Sequence, residues 1–166
     1  MLVDDALRGV EAVRGFEGPI VDVGSGGGSP GIPLAAALPG RDVTLLEANA
    51  RKAYFLERVT GEFPNVRVVR GRAEEQTADQ YGVAAAKALA APPVALEWTL
   101  PLVRPGGAAV LWVGQSVDVA ALGRVAEQLA GGTIEDRDGL VVVPKLGPTP
   151  AGFPRRLGVA RKRPLV

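Results

Sequence analysis

The sequence predicts an α/β domain built on a mainly parallel sheet, and three observations carry that reading. Short apolar runs alternate with longer amphipathic stretches along the chain. The first of these runs, Ile20 to Val23, ends in Gly24-Ser25-Gly26-Gly27-Gly28, a strand-to-helix turn rich in glycine. At 166 residues the chain has room for one domain with a proper core and hardly for two. No internal repeat and no linker divides it. A single domain over 1–166 is expected, with a short helical segment over 1–18 and a basic tail over 145–166.

Taken in order, Ile20 to Val23 reads as the first strand. Ile32 to Leu38 is a short helix, stopped by Pro39-Gly40. Val43 to Leu46 is a second strand that ends at Glu47. Ala50 to Phe63 is helical, because Ala53, Leu56, Val59 and Phe63 recur at spacings of three and four. Pro64-Asn65 breaks that helix, and Val66 to Val69 makes a third strand. Propensity alone favours helix for Val83-Ala84-Ala85-Ala86. Its place in the alternation, between Tyr81-Gly82 and an apolar helix from Val94 to Val103, favours a fourth buried strand. Pro105-Gly106-Gly107 reads as a turn, Ala108 to Val113 as a fifth strand and Val117 to Leu129 as an amphipathic helix. Leu140 to Val143 is a late strand, followed by Gly/Pro-rich basic sequence.

Two absences limit the chemistry. Without cysteine there are no disulfides, thiolate nucleophiles or cysteine-zinc sites, and without histidine the commonest general base and transition-metal ligand are gone. No metal site is expected. No apolar run approaches the ~20 residues that span a bilayer, and no signal-peptide pattern opens the chain, so a soluble cytoplasmic protein without membrane contact is expected. The net charge of +1 hides an asymmetry: after Asp138 no acidic residue occurs, whereas Lys145, Arg155, Arg156, Arg161, Lys162 and Arg163 do. Such a tail suits a polyanion, or is a solvated face that aids solubility.

The glycine loop narrows the ligand. Glycines allow positive φ and remove Cβ atoms, so that backbone can approach a ligand closely. A P-loop needs Gly-Lys-Ser/Thr where this chain has Pro30-Gly31-Ile32. A dinucleotide fingerprint fits Gly26, Gly28 and Gly31 only in a register that starts two residues late, and starting at Gly24 puts Ser29 in the third glycine's place. The spacing Asp22, Gly24, Gly26, Gly28, with Ser25 between, fits the form of the loop used by methyltransferases for S-adenosylmethionine. Glu47 ends the second strand, where a carboxylate can accept from both ribose hydroxyls of either NAD or S-adenosylmethionine.

The segments VDVGSGGGSPGIPLA, TLLEANARKAYFLERV and Arg72-Ala73-Glu74-Glu75 together resemble the bacterial 16S ribosomal RNA guanine-N7 methyltransferases of the RsmG (GidB) type. Glu97-Trp98, Leu100-Pro101-Leu102, Pro105-Gly106-Gly107 and the tail TPAGFPRRLGVARKRPL extend the resemblance over nearly all of residues 19–166. It implies a Rossmann-like, class I, doubly wound seven-strand sheet with an antiparallel last strand. It also implies cofactor contacts at Gly24, Ser29 and Glu47, with Ala73 and Glu74 around the adenine. Lys87 stands where the family has an arginine after strand four, and the resemblance assigns it to the cofactor as well. The chain departs from the pattern in three further places. Val113 replaces a lysine, Asp138-Gly139 replaces Arg-His, and the segment before the first strand is short and lacks an Asn-Leu-Thr motif.

The absent residues agree with that reaction. Guanine N7 is an unprotonated in-plane lone pair, so positioning can supply most of the rate and no catalytic base is expected. Pyrimidine C5 methylation by the usual route needs a cysteine nucleophile. The expected partner is 16S rRNA or the small ribosomal subunit, gripped by the tail cations, with Phe153 either stacking on a base or covering a core edge. A monomer is expected. Truncation after Pro148 is expected to spare cofactor binding and weaken RNA binding. Two alternatives stay open: a homologue that binds cofactor or RNA without transferring methyl, and an NAD-dependent oxidoreductase.

Overall fold

The protein's structure, a computed structural model, describes residues 2–166. Its N-terminal helices α1 (Leu2–Leu7) and α2 (Val10–Arg14) are parted at Gly9, where a Cβ would lie 2.3 Å from the Trp112 ring. Then follow β1 (Ile20–Val23), α3 (Gly31–Ala37), β2 (Val43–Glu47), α4 (Ala50–Val59) and β3 (Val66–Arg70). A 3-10 turn at Ala73–Glu75 leads to β4 (Tyr81–Lys87), α5 (Pro92–Thr99), a second 3-10 turn at Leu100–Leu102 and β5 (Val103–Trp112). The chain ends with α6 (Val119–Gln128), β6 (Glu135–Asp136), β7 (Leu140–Pro144) and α7 (Val159–Lys162).

The seven strands lie in the order β3-β2-β1-β4-β5-β7-β6. Pairs from β3 to β5 are parallel, and β7 runs antiparallel to both β5 and β6. Alternation along each strand splits the core between two faces. Ile20, Leu45, Val83 and Val110 pack with α2, α3 and α4. On the other face Leu111 and Val143 meet α5 and α6, while Val21 and Ala84 pack near Trp98 and Ala160.

Val83–Ala86 is indeed a strand, fully buried at the centre of the sheet, where small side chains let helices close on both faces. Three expectations are corrected. The apolar helix ends at Thr99 instead of Val103, because Leu100-Pro101 tightens into a 3-10 turn and the chain then enters β5. Pro105-Gly106-Gly107 is not a turn between elements but a bulge inside β5. The register there jumps from Tyr81↔Val103 to Val83↔Ala108, and a Cβ on Gly107 would meet the Gly82 carbonyl at 2.2 Å. The helix read as reaching Phe63 stops at Val59.

Candidate adenosyl cleft

Chain order reverses beside β1, whose neighbours are β2 and β4, and in such sheets ligands collect beyond the carboxyl ends of the strands at this point. A cleft of about 280 Å³ opens there. A larger one, of about 560 Å³, lies where β2, β3 and β4 begin, and none of the residues expected to bind lines it. Topology favours the smaller cleft.

The structure brings Gly24, Gly26, Glu47, Ala73 and Glu74 together around that cleft, with Leu89 and Trp98 opposite. Gly24 takes φ +70°, and a Cβ on it would meet Leu89 Cδ1 at 2.3 Å. Positive φ and close approach both demand glycine here. Four of the N–H groups of Gly24–Gly28, however, turn inward. Those of Gly24 and Ser25 donate to the Leu46 carbonyl at 2.8 and 3.1 Å, and that of Gly28 to the Ser25 carbonyl at 2.7 Å. The Gly26 N–H donates to Glu47 Oε2 at 2.8 Å, while the Asn49 N–H donates to Oε1 at 3.1 Å. Glu47 is thereby held almost buried at the strand end, and each oxygen keeps a lone pair for a hydroxyl donor.

Asp22 lies beneath the loop, fully buried, and its Oδ2 accepts the Gly31 N–H at 3.0 Å at the start of α3. Burial pushes its carboxyl up to about 7, against the downward pull of that N–H. Asp22 therefore shapes the loop and does not line the cleft. Ser25 is also buried, its hydroxyl donating to the Asp22 carbonyl at 2.9 Å. Gly28 faces Ile32, and Ser29 lies outside the cleft wall.

Several expectations fail on geometry. Lys87 does not line this cleft: its ammonium pairs with Asp5 Oδ2 at 2.7 Å in a neighbouring cavity. Lys145, read as an RNA contact, is 1 % exposed. Its Nζ donates to Asp79 Oδ1 and to the Leu100, Val103 and Thr149 oxygens at 2.7–3.0 Å, so it is a structural cation. Arg155 makes a two-pronged ion pair with buried Glu97 and also donates to the Arg163 carbonyl, which ties the tail to α5. Arg161 lines the cleft, its guanidinium 5.2 Å from the centre of the Trp98 ring. Phe153 packs against the core, the second of its two expected roles. Of the six tail cations, Arg156, Lys162 and Arg163 remain as exposed side chains outside these contacts.

Sequence reasoning missed Trp98, Leu89 and Arg161 as cleft residues. Trp98 carried a signal, since Glu97-Trp98 belongs to the resemblance; Leu89 and Arg161 carried none that separates them from core and tail. Among the described residues no helix is long and apolar enough to cross a membrane, and no group of three acidic side chains could hold a metal.

Residues 2–127 match the family model described as rRNA small subunit methyltransferase G. A relative from Chloroflexus aggregans named ribosomal RNA small subunit methyltransferase G is 37 % identical over 164 residues, which span 88 % of this chain and 69 % of the relative. One of the same name from Roseiflexus castenholzii is 36 % identical, over 98 % and 77 % of the two chains. A SAM-dependent O-methyltransferase from Thermotoga maritima superposes with a TM-score of 0.67 at 18 % identity, over 86 % of this chain and 65 % of that one. A putative S-adenosyl-L-methionine-dependent methyltransferase from Methanococcus maripaludis gives 0.67 at 11 % identity, over 90 % and 87 %. These structures share the doubly wound fold. From the family match and the identities, the chain belongs to the rRNA small subunit methyltransferase G family.

Proposed function

We propose that the protein transfers the methyl group of S-adenosylmethionine to N7 of a guanine in 16S ribosomal RNA, working as a single chain in the cytoplasm. The observation that carries the cofactor choice is the inward turn of the loop. A dinucleotide pyrophosphate needs free N–H groups and an open helix N-terminus. Here Gly24, Ser25 and Gly28 spend their N–H groups on the chain itself, and the first turn of α3 is occupied by the Asp22 carboxylate. An adenosyl cofactor without phosphates needs neither.

When bound, S-adenosylmethionine supplies an electrophilic sulfonium methyl. Glu47 holds the ribose diol with the lone pairs left by Gly26 and Asn49. Ala73 and Glu74 border the adenine, and Trp98 with Arg161 closes the opposite wall. The acceptor N7 gives up no proton, so this chain has only to orient the base and exclude water. Arg156, Lys162 and Arg163 contact phosphates and set the register of the RNA.

A calorimetric titration tests the cofactor assignment. S-adenosylhomocysteine binds and NAD does not, and Glu47→Gln weakens S-adenosylhomocysteine at least about tenfold, since a hydrogen bond to a charged group contributes roughly 1.5–3 kcal/mol. Binding of NAD in preference would reject the assignment.

A further inference from the structure

The positions at which this chain departs from its resemblance converge in space. Lys87 ends β4, Val113 follows β5 and Asp138-Gly139 precede β7, yet all line one cavity of about 360 Å³. Asp5 and Arg8 of α1 close it from the N-terminal side, with Trp112 between. This cavity shares Ala88 with the adenosyl cleft. Ala88 takes φ +51°, a strained conformation for a residue with a Cβ, held where the two cavities meet.

The polar groups in this cavity are fixed relative to one another. Asp5 Oδ2 pairs with Lys87 Nζ at 2.7 Å, and Asp5 Oδ1 with Arg8 at 3.1 Å. The backbone beneath is pinned: Trp112 Nε1 donates to the Asp5 carbonyl at 2.8 Å, and Arg8 donates to the Asp138 carbonyl at 2.6 Å. Lys87 and Asp5 both stay reachable, at 17 % and 38 % side-chain exposure. The hydrogen bond from Lys87 holds the Asp5 carboxyl below its ordinary range, so at neutral pH it is an acceptor only. The wall thus shows one donor beside one two-oxygen acceptor.

We propose that Asp5 and Lys87 read the Watson–Crick edge of the acceptor guanine, with Lys87 donating to O6 and the Asp5 carboxylate accepting from N1–H and the 2-amino group. The inference rests on the methyltransferase reading given above. Guanine alone of the four bases presents an acceptor followed by two adjacent donors on that edge. Adenine and cytosine place an unprotonated ring nitrogen where the carboxylate needs the N1–H donor, and uracil places a carbonyl where it needs the 2-amino group. O6 lies between N1 and N7 around the base, so seating O6 at Lys87, next to Ala88, turns N7 toward the cofactor cleft. Arg8, the more exposed partner of Asp5, yields Asp5 Oδ1 to the base and keeps its bond to the Asp138 carbonyl.

The test is a set of nuclear magnetic resonance titrations of the full chain with GMP, IMP, AMP and CMP, with and without S-adenosylhomocysteine. GMP shifts the amides of residues 87–88 and 113–115 and binds about tenfold tighter than IMP, which lacks only the 2-amino group; AMP and CMP leave those amides in place. Asp5→Asn erases the GMP-over-IMP preference, and Asp5→Glu restores part of it. Lys87→Met weakens GMP and IMP alike, since both carry O6, and it leaves their ratio unchanged; the contrast between this variant and Asp5→Asn is a pattern that a merely structural role does not produce. Equal binding of all four nucleotides, no binding of GMP, or a GMP preference that survives Asp5→Asn would each overturn the proposal. If the wild type binds GMP but not S-adenosylhomocysteine, the cofactor assignment fails and the base reading stands.

Discussion

Replacing Lys145 with alanine lowers stability by about 3–5 kcal/mol, the range for a buried ion pair that loses one partner. For a chain of this size that is a fall in Tm of roughly 6–20 °C. The ammonium is fully buried and ties together Asp79, Thr149 and the Leu100 and Val103 carbonyls, the last two at the junction of α5 and β5. Without it Asp79 keeps the Thr149 N–H and hydroxyl, while the two carbonyls lose a partner. Burial raises the Asp79 carboxyl, but the hydrogen bonds from Thr149 and Lys145 outweigh it and hold the carboxyl below its ordinary value. A depressed carboxyl adds stability that is present above its unfolded pKa and is lost as pH falls through the folded one. The gap in Tm between wild type and Lys145→Ala therefore narrows in acid. Thermal melts at pH 7 and pH 3 check both points. A variant with wild-type Tm that lost only RNA affinity would return Lys145 to the RNA surface.

Truncation after Pro148 weakens S-adenosylhomocysteine binding by at least about tenfold, the reverse of what the charge pattern of the tail suggests. The deleted segment carries Arg161, which forms part of the cleft wall over Trp98, and Gly158, whose N–H donates to Glu74 at 3.3 Å. It also carries Arg155, without which the buried Glu97 carboxylate is left unpaired, and Thr149 of the Lys145 network. The tail is thus built into the wall of the cleft proposed to hold the cofactor. A triple substitution of Arg156, Lys162 and Arg163 by alanine separates the two roles: it leaves cofactor affinity unchanged, weakens RNA binding and flattens its salt dependence. Calorimetry on the two variants decides, and wild-type affinity in the truncated chain would contradict the account.

The fold was legible where local pattern and topology agree. The run Val83–Ala86 read as helix by propensity and as strand by its place in the alternation, and tertiary context decided for strand. The loop that Asp22 and the glycines shape, and the place of Glu47 at the end of β2, were legible because their spacing is dictated by one strand-loop-helix unit and the next strand. Asp22, Ser25, Gly28 and Ser29, expected as cofactor contacts, lie beneath that loop or outside the cleft wall. The tail was not. Lys145 pairs with a residue 66 positions earlier and Arg155 with one 58 positions earlier, so nothing local distinguishes them from solvated cations. Lys87 was misplaced for a related reason. Its position at the end of β4 is right, but its direction is set by Asp5, on a helix 82 residues away in sequence. The bulge at Pro105-Gly106-Gly107 keeps turn chemistry while the strand runs on through it.

The most direct test of the central claim is transfer of labelled methyl from S-adenosylmethionine to 16S rRNA that lacks 7-methylguanosine, supplied both as naked RNA and in the small ribosomal subunit. The account predicts label in 7-methylguanosine after nuclease digestion with one of the two substrates, at a rate that falls when Glu47 is replaced by glutamine. Label in another nucleoside, or none with either substrate from a protein that binds S-adenosylhomocysteine, would contradict it.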